Sequence, residues 1–348
     1  MYSIIMAGGE GGRLWPLSTP EIPKALMEAF EGKTLLELTI ERLLKITSPE
    51  NTFLVITQKI EKSVKELLKT FPHDNIIAEP VGRNTALCIT LAARKIYDLD
   101  HNAVMGVFPS DHIIYDHEYF QNCIRQGKEM ASQFDSLVLL GMVPNVPATG
   151  YGYIQFKEKI GVDGSFECFK GVGFIEKPDL DSAKEMLHKQ NVLWNSGIYL
   201  GKAKRFLEEA RHHIADVYES INKFYNDSVK LEHEYRKFSP LSFDHAVSEK
   251  LNDFIVISVN MKRIDVGNFN AFYEIWERDQ NGNAVNGDYV GIESRNNIIS
   301  SKKPVALLGV SDMVIVDTPE MIMICPRNNT FDINNLRERW INEHGRAK

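Results

Sequence analysis

Cysteine is scarce in this chain, with 4 residues among 348, and no two of them form a Cys-x-x-Cys pair. The common zinc and redox motifs are therefore absent. Isolated thiols are typical of a reducing compartment, so the sequence predicts a cytoplasmic protein. No apolar run approaches the length of a membrane span, and the short apolar stretch at the N-terminus lacks the basic flank of a signal peptide. We therefore expect no membrane partner.

Positive charge is also in deficit, because 40 lysines and arginines face 47 aspartates and glutamates, for a formal net charge of −7. A nucleic-acid-binding surface needs a broad excess of basic residues, so no nucleic-acid partner is expected. Any polyanionic ligand must be bound by a local basic cluster. The length favours one large and one small domain, and the hydrophobic content of 43% is ordinary for a globular chain.

Several well-known site motifs are missing as well. There is no Walker A sequence, and the dinucleotide fingerprint Gly-x-Gly-x-x-Gly fits Gly9 and Gly11 but meets Leu14 at its third glycine. The sequence contains no His-x-x-x-His pair and no recognisable Ser-His-Asp arrangement. Neither a histidine metal site nor a covalent nucleophile is expected.

What the sequence does contain is a glycine-rich loop directly after its first apolar run. Residues 2–6 predict a buried strand, four glycines lie among residues 8–12, and Arg13 and Lys24 follow. Glycines let backbone N–H groups approach an anion closely, and the two cations add full positive charge. The pattern is typical of a polyphosphate-binding loop. A glycine-rich turn of purely structural value is the alternative, and it does not explain the two basic residues.

Strand and helix patterns alternate over roughly the first 150 residues. This alternation predicts an α/β fold with a mostly parallel, Rossmann-like sheet covered on both faces. Ligands bind beyond the carboxyl ends of such strands, so the glycine loop and the Pro109–His112 segment are expected at the same edge. A capping box at Thr34 and Glu37 begins the first helix. The predicted strands span residues 2–6, 52–57, 76–78, 104–108 and 136–143, and a helix spans residues 85–97.

The last part of the chain has a different pattern. Residues 280–283 are polar and rich in turn formers, which marks a domain boundary. Short β runs then follow at near-regular spacing, which indicates a small β-solenoid, with a meander sheet as the alternative. A terminal helix is predicted over residues 333–343, with Leu336, Trp340 and Ile341 as its apolar face. The sequence thus predicts two domains, residues 1–281 and 282–348.

Two aspartates follow predicted strands. Asp111 comes after residues 104–108, and Asp265 comes soon after a strand at residues 254–259. Carboxylates at strand ends suit Mg²⁺, a hard cation that takes oxygen ligands and shares phosphate oxygens with a substrate. Each aspartate alone is better explained as a turn residue or helix cap, so only a pair that converges on the glycine loop favours the metal.

Three further segments carry candidate ligand contacts. Lys177, in Glu176-Lys177-Pro178, can bind a phosphate as a point charge. The segment Trp194–Gly197 offers an aromatic ring and an amide for sugar hydroxyls, or is a buried tryptophan beside a turn. The segment Glu79–Thr85 lies between a strand and a helix, where Asn84 or Thr85 is either the helix N-cap or a contact to a base edge.

In combination, these segments resemble the sugar-1-phosphate nucleotidyltransferase family, and within it the bacterial mannose-1-phosphate guanylyltransferases, also called GDP-mannose pyrophosphorylases. The similarity extends over nearly the whole chain, and the motifs occur in the family's order. The matching segments are Ala7–Ser18, Pro23-Lys24, Glu79–Ala86, Pro109–His112, Gly150–Ile154, Glu176–Pro178, Trp194–Gly197 and Asp265–Gly267.

The resemblance implies a nucleotidyltransferase domain of the GT-A type followed by a left-handed β-helix-like domain. It implies transfer of GMP from GTP to mannose 1-phosphate with the aid of Mg²⁺, giving GDP-mannose and pyrophosphate. The implied catalytic residues are Arg13, Lys24, Asp111, Lys177 and Asp265, of which Asp111 and Asp265 bind the metal. The implied nucleotide-binding residues are Ala7, Gly8, Gly9, Gly11, Gly12, Arg13, Lys24, Glu79, Asn84, Thr85, Pro109 and Asp111, and the implied sugar-phosphate-binding residues are Gly152, Glu176, Lys177, Asn195 and Gly197.

Some positions depart from the family pattern. Leu87 and Phe269 replace a usual proline and tryptophan, Arg263 replaces a usual tryptophan two residues before Asp265, and residues 243–250 match only partly. The same chemistry with another sugar, such as a heptose 1-phosphate, or with another nucleotide, such as UTP, therefore stays open. A non-catalytic regulatory homologue is a further alternative, although the charged residues of the site are present. A homodimer is an open alternative to a monomer.

Overall fold

A computed structural model describes residues 1–9, 11–30, 32–161 and 164–345 of the chain. The described chain divides into two compact units. Unit 1 contains Met1–Gly8, Ile40–Pro109 and Ile114–Lys262. Unit 2 contains Gly9–Thr39, Ser110–Ile113 and Arg263–Lys348, of which the last three residues are outside the described ranges.

The strands in chain order are β1 Tyr2–Met6, β2 Glu28–Phe30, β3 Lys33–Thr34, β4 Thr52–Thr57, β5 Ile76–Glu79, β6 Val104–Pro109, β7 His112–Ile114, β8 Leu137–Met142, β9 Tyr153–Ile160, β10 Cys168–Ile175, β11 Val192–Lys202, β12 Phe254–Val259, β13 Arg263–Asp265, β14 Ala284–Asn286, β15 Tyr289–Ile292, β16 Ile298–Ser300, β17 Val305–Leu308, β18 Met313–Asp317 and β19 Ile322–Pro326. The helices are α1 Leu35–Leu43, α2 Glu61–Leu67, α3 Thr85–Leu99, α4 His117–Phe134, α5 Leu180–Leu187, α6 Ala203–His213, α7 Ala215–Phe224, α8 Ser228–Lys237, α9 Phe243–Ala246, α10 Asn270–Ile275 and α11 Ile333–His344.

Unit 1 is built on one large sheet with the strand order β5-β4-β1-β6-β11-β8-β12-β10-β9. The four strands from β5 to β6 are parallel neighbours, as the alternating pattern predicted. The sheet as a whole is mixed, because β11 runs antiparallel to both β6 and β8, and β10 runs antiparallel to β9 and β12. The α/β prediction is confirmed, and the parallel arrangement holds mainly for the strands near the N-terminus.

The core of unit 1 explains why these segments are strands and helices. Ile4, Val55 and Val107 from adjacent parallel strands are buried, and the apolar side of α3 packs against them. The predicted helix over residues 85–97 is confirmed as α3, which continues to Leu99. Because both faces of the central strands are covered, their residues are apolar without alternation.

Unit 2 contains a short β-helix-like array. Strands β14, β16 and β18 pair in parallel, as do β15 and β17, so each turn of chain stacks on the previous one. Buried asparagines connect the turns, because Asn283 Oδ1 accepts from Asn297 N at 3.0 Å and Asn297 Oδ1 accepts from Met313 N at 2.9 Å. The solenoid prediction is confirmed over the meander alternative, although β19 closes the array as an antiparallel strand.

Helix α1 begins with the predicted capping box. Glu37 Oε2 accepts from Thr34 N at 2.9 Å, and Thr34 Oγ1 accepts from Glu37 N at 3.2 Å. The terminal helix α11 also forms as predicted, but Leu336 is 44% exposed. Ile333 is buried instead, and Trp340 packs against the ring of Trp15 at a centroid distance of 6.2 Å. Among the described residues, no helix is both long enough and apolar enough to cross a membrane.

Candidate active site

The part of the glycine loop that belongs to unit 2, from Gly9 onward, is held close to Lys24. Gly11 has a φ of +72°, and a Cβ atom there would lie 2.6 Å from Lys24 Cβ and 2.8 Å from Ser18 Oγ. Only glycine therefore satisfies both the backbone conformation and the space at this position. Arg13 is exposed in the 3₁₀ turn Gly12–Leu14, and the buried Leu14 anchors the turn. Glu10, within the loop, lies outside the described residues.

Lys24 also contacts both predicted metal-binding aspartates. Its Nζ lies 2.6 Å from Asp111 Oδ2 and 3.6 Å from Asp265 Oδ1. The two aspartates meet because β7 pairs with β13, and Val266 N donates to Asp111 O at 3.0 Å. The structure thus brings together three charged residues that are far apart in the sequence, and places them beside the glycine loop.

The electrostatics of the two carboxyl groups differ. Burial is the largest single influence on Asp111 and by itself would raise the pKa, but the charges of Lys24 and His112 and the hydrogen bond from Lys24 together lower the pKa to about 2. The pKa of Asp265 is raised, first by burial and then by the negative charge of Asp111. Because the pKa of Asp265 stays raised despite the positive charges of Lys24 and Arg263, this site favours an additional cation.

The residues present fit a divalent metal ion. Carboxylate oxygens of Asp111 and Asp265 and a ring nitrogen of His112 lie within 4.8 Å of one another, and this is the group of potential ligands that stands out among the described residues. Asp265 Oδ1 is buried and makes no hydrogen bond to any residue that the structure describes. A buried acceptor whose ion-pair partner, Lys24 Nζ, stays 3.6 Å away is poorly satisfied, and a hard cation that prefers oxygen ligands would satisfy it.

Arg263, which departs from the family pattern, contacts His112. Its Nη1 lies 3.0 Å from His112 Nε2. The guanidinium therefore lies beside the imidazole ring of His112. The oxygen ligands that the cluster offers to a metal ion are the carboxylates of Asp111 and Asp265. Phe269, another departure, is fully buried among the apolar residues of unit 2. In unit 1, the departure at Leu87 is likewise buried in the main core.

The predicted sugar-phosphate residues gather in unit 1. Lys177 Nζ forms an ion pair with Glu176 Oε1, and Asn195 N donates to Gly152 O at 2.7 Å. A Cβ atom on Gly152 would lie 2.6 Å from Glu176 Oε2, so a side chain there would displace the carboxylate. Glu176 is buried, and its pKa is raised by burial and by the nearby Asp244.

Two backbone features in this group are unusual. Lys177 has a φ of +45°, a conformation that costs energy for a non-glycine residue and often marks a functional position. Asn195–Tyr199 is irregular within β11, and Gly197 has a φ of +75°. Gly197 N donates to Asn195 Oδ1 at 3.0 Å, so this bulge holds the asparagine side chain in place.

Asp244 organises this group, and the sequence analysis did not single it out. Its Oδ1 accepts from Tyr199 Oη at 2.6 Å and from Asn195 Nδ2 at 2.9 Å. Tyr199 Oη also lies 3.0 Å from Ser248 Oγ. On the same segment, Glu249 Oε1 accepts from Glu176 N at 2.9 Å. The only indication of this role in the sequence is the partial family match of residues 243–250. The contacts of Asp244 with Tyr199 and Asn195 depend on the topology of the chain, so the spacing of these residues does not reveal them.

The predicted nucleoside residues of unit 1 form a second group. Glu79, at the end of β5, is 3% exposed, and burial raises its pKa to about 8. Its Oε1 makes no hydrogen bond to the described residues, and its Oε2 would lie 3.4 Å from a Cβ atom on Gly8. Asn84 is the N-cap of α3 with a φ of +66°, and Thr85 Oγ1 accepts from Phe243 N at 2.8 Å.

Ala7 and Pro109 stand at the ends of neighbouring strands. Ala7 N donates to Val55 O at 2.8 Å, and Pro109 pairs with Met6 at the end of β6. Both therefore lie at the carboxyl edge of the parallel strands, where the α/β fold places ligands. This edge is the part of the sheet from which Gly8 and Glu79 also extend.

Comparison with known proteins relates the chain to named families. Residues 2–282 match the nucleotidyl transferase family, and residues 287–339 match the MannoseP isomerase/GMP-like beta-helix domain. The two-domain division at residues 281 and 282 remains a prediction, since division by compactness groups the N-terminal loop with the C-terminal residues.

Named relatives cover most of the chain. Mannose-1-phosphate guanylyltransferase of Klebsiella pneumoniae is 35% identical over 97% of this chain and 73% of its own length. Alginate biosynthesis protein AlgA of Pseudomonas putida is 32% identical over 100% of this chain and 73% of its own length. A crystal structure described as mannose-1-phosphate geranyltransferase from Thermus thermophilus is 30% identical, covers 97% of this chain and 98% of that one, and superposes with a TM-score of 0.86.

The family match covers most of the chain, and the relatives confirm the resemblance that the motifs indicated. The chain belongs to the nucleotidyl transferase family.

Proposed function

We propose that the protein transfers GMP from GTP to mannose 1-phosphate, giving GDP-mannose and pyrophosphate. A phosphate oxygen of the sugar 1-phosphate attacks the α-phosphorus of GTP, and the bond to the leaving pyrophosphate breaks. The observation that carries the proposal is the cluster of Lys24, Asp111 and Asp265 beside the glycine loop. The relatives named mannose-1-phosphate guanylyltransferase support the choice of substrates.

In unit 2, the glycine loop and its cations bind the triphosphate. Backbone N–H groups of the loop donate to phosphate oxygens, and Arg13 adds charge from its exposed position. Asp111 and Asp265 would hold Mg²⁺, which supplies positive charge to the phosphates when bound. Lys24 exchanges its carboxylate partners for the pyrophosphate, whose negative charge grows as it leaves.

In unit 1, the residues around Asp244 bind the sugar phosphate. Lys177 supplies a cation for the phosphate, and Glu176, Asn195 and Gly152 contact sugar hydroxyls with carboxylate, amide and backbone groups. The buried position of Glu176 and the fixed orientation of Asn195 reduce the ordering needed on binding. Gly197 contributes by permitting the bulge that holds Asn195.

The preference for guanine rests on Glu79. Guanine presents two neighbouring N–H donors, at N1 and N2, and an ionised carboxylate can accept both. Because burial raises the pKa of Glu79 to about 8, this pairing requires the carboxyl group to lose its proton as guanine binds. Glu79 Oε1 is buried and forms no hydrogen bond with the described residues, and the nearby Tyr235 hydroxyl offsets the effect of burial on its pKa only in part. Uracil offers one such donor, so the same carboxylate would be only partly satisfied. Asn84 and Thr85 lie at the start of α3, near this carboxylate in the sequence, and we assign them to the nucleoside.

A substrate panel tests the proposal directly. The purified protein is incubated with Mg²⁺, each of GTP, UTP, ATP and dTTP, and each of mannose, glucose and heptose 1-phosphates, and pyrophosphate release is measured. We expect the highest kcat/KM for GTP with mannose 1-phosphate, and no turnover after EDTA treatment. A preference for another pair would reassign the substrates, and no release with any pair would support the non-catalytic homologue.

The cytoplasmic location predicted from the sequence, and the homodimer that the sequence leaves open, are kept as part of this proposal. The dispersed thiols support the cytoplasmic location, since Cys88, Cys123 and Cys168 are buried and form no disulfide. Fractionation of the native cells, and light scattering of the purified protein, would test the two statements separately.

A further inference from the structure

The terminal helix α11 lies against the glycine loop. A Cβ atom on Gly12 would lie 2.5 Å from Asn334 Oδ1 and 3.2 Å from Arg337 Nη1. Gly12 does not have the positive φ of Gly11, so the constraint at residue 12 comes from these side chains rather than from the backbone conformation. The tail, to which the sequence pattern assigns no chemistry, therefore places two polar side chains against the loop.

The same side of α11 is anchored by apolar contacts. Ile333 is buried in the core of unit 2 with Leu14 and Trp15, and the ring of Trp340 lies 6.2 Å from that of Trp15. Ile333, Arg337 and Trp340 are spaced three to four residues apart, so they share one helical face. The loop therefore rests on a helix that is itself fixed in position.

We infer that α11 is a positioning element of the nucleotide site. The helix supports the loop at Gly12, where the side chains of Asn334 and Arg337 lie, and the guanidinium of Arg337 brings positive charge to the place where the loop receives a polyphosphate. This inference rests on the proposed function, which identifies the ligand as GTP. It assigns a role in nucleotide binding to residues outside the segment that matches the nucleotidyl transferase family.

A rescue experiment tests the contact at Gly12. The variants are Gly12→Ala, Asn334→Ala and the double variant, with Gly161→Ala as a control because a Cβ atom there meets nothing within 4 Å. The dissociation constant of a fluorescent GTP analogue and the melting midpoint are measured for each. Gly12→Ala should weaken GTP binding by several-fold, because the side chains of Asn334 and Arg337 must leave their positions to admit the added methyl group.

The double variant should recover most of that loss, because removing the Asn334 carboxamide makes room for the added methyl group. A double variant as weak as Gly12→Ala, or a Gly12→Ala variant that binds like the parent, would overturn the inference. If the parent protein bound no GTP, the proposed function would fail, but the melting midpoints would still report the contact between the helix and the loop.

A second pair of variants tests the charge. Arg337→Gln should raise the dissociation constant for GTP by several-fold and leave the KM for the sugar 1-phosphate unchanged. Arg339→Gln removes the same charge from the same helix, and Arg339 pairs with Glu343 at the surface. Equal effects of the two substitutions on GTP binding would refute a specific role for Arg337.

Discussion

Replacing Lys24 with methionine should have opposite effects on catalysis and on metal binding. Methionine keeps an unbranched side chain but removes the ammonium that lies 2.6 Å from Asp111 Oδ2 and 3.6 Å from Asp265 Oδ1. The mutual repulsion of the two carboxylates is then offset only in part, by Arg263 near Asp265 and His112 near Asp111. A divalent cation no longer competes with the ammonium for the same oxygens, so its affinity should rise.

The distances give the scale of the effect. Ligand atoms of the two aspartates lie within 4.8 Å, and unit charges at that distance repel by roughly 3–4 kcal/mol at an effective dielectric constant of about 20. The side chains of Asp111 and Asp265 are 29% and 33% exposed, so water screens part of this repulsion. We expect the free energy of unfolding without metal to fall by ~1–3 kcal/mol.

Thermal unfolding with and without Mg²⁺ measures this effect, and pyrophosphate release measures catalysis. Mg²⁺ should raise the melting midpoint of Lys24→Met more than that of the parent protein. Turnover at saturating substrate should fall by ~10²–10³-fold, because Lys24 faces charge that grows in the transition state. Lys302→Met, at an exposed lysine of the same unit, serves as the matched control.

Two results would refute the reasoning. Equal Mg²⁺-induced shifts in the variant and the parent would mean that Lys24 and the metal do not share the same carboxylates. Turnover within tenfold of the parent at saturating substrate would remove Lys24 from the catalytic residues, whatever its effect on stability.

Three further predictions follow from the same geometry. Asp244→Asn weakens the acceptor that holds Tyr199 and Asn195, so it should raise the KM for the sugar 1-phosphate by about tenfold with little change in the KM for GTP, and equal increases in both would contradict this. Glu79 has a pKa near 8 in the folded protein and 4.5 as a free side chain, so the folded state binds more protons between these pH values and loses stability as the pH rises through them. The free energy of unfolding of Glu79→Gln should therefore exceed that of the parent by roughly 1–4 kcal/mol at pH 8 but by little at pH 4.5, as urea unfolding at the two pH values would show. Gly11→Ala should lower both the melting midpoint and GTP affinity because of its φ of +72° and the 2.6 Å approach to Lys24 Cβ, whereas Gly161→Ala should not, and similar melting midpoints for the two variants would argue against a strained loop.

Local patterns predicted much of the fold. The strand at residues 2–6, the capping box at Thr34 and Glu37, and the helix after Asn84 depend on neighbours within a few residues, and all three form as expected. The β-helix-like array was also predictable, because its short strands and turns repeat along the chain. The arrangement of β11 was not, since an apolar strand reads the same whether its neighbours run parallel or antiparallel to it.

The candidate site likewise has some features that the sequence determines and others that it does not. The chain by itself determined the residue types that can bind phosphate and metal, because glycine conformation, charge and side-chain length are properties of each residue. Only the tertiary structure decided that Lys24 lies between Asp111 and Asp265, that Asp244 holds Asn195, and that α11 packs on the glycine loop. Those contacts join segments far apart in sequence, and strand pairing and core packing determine them without leaving a local pattern.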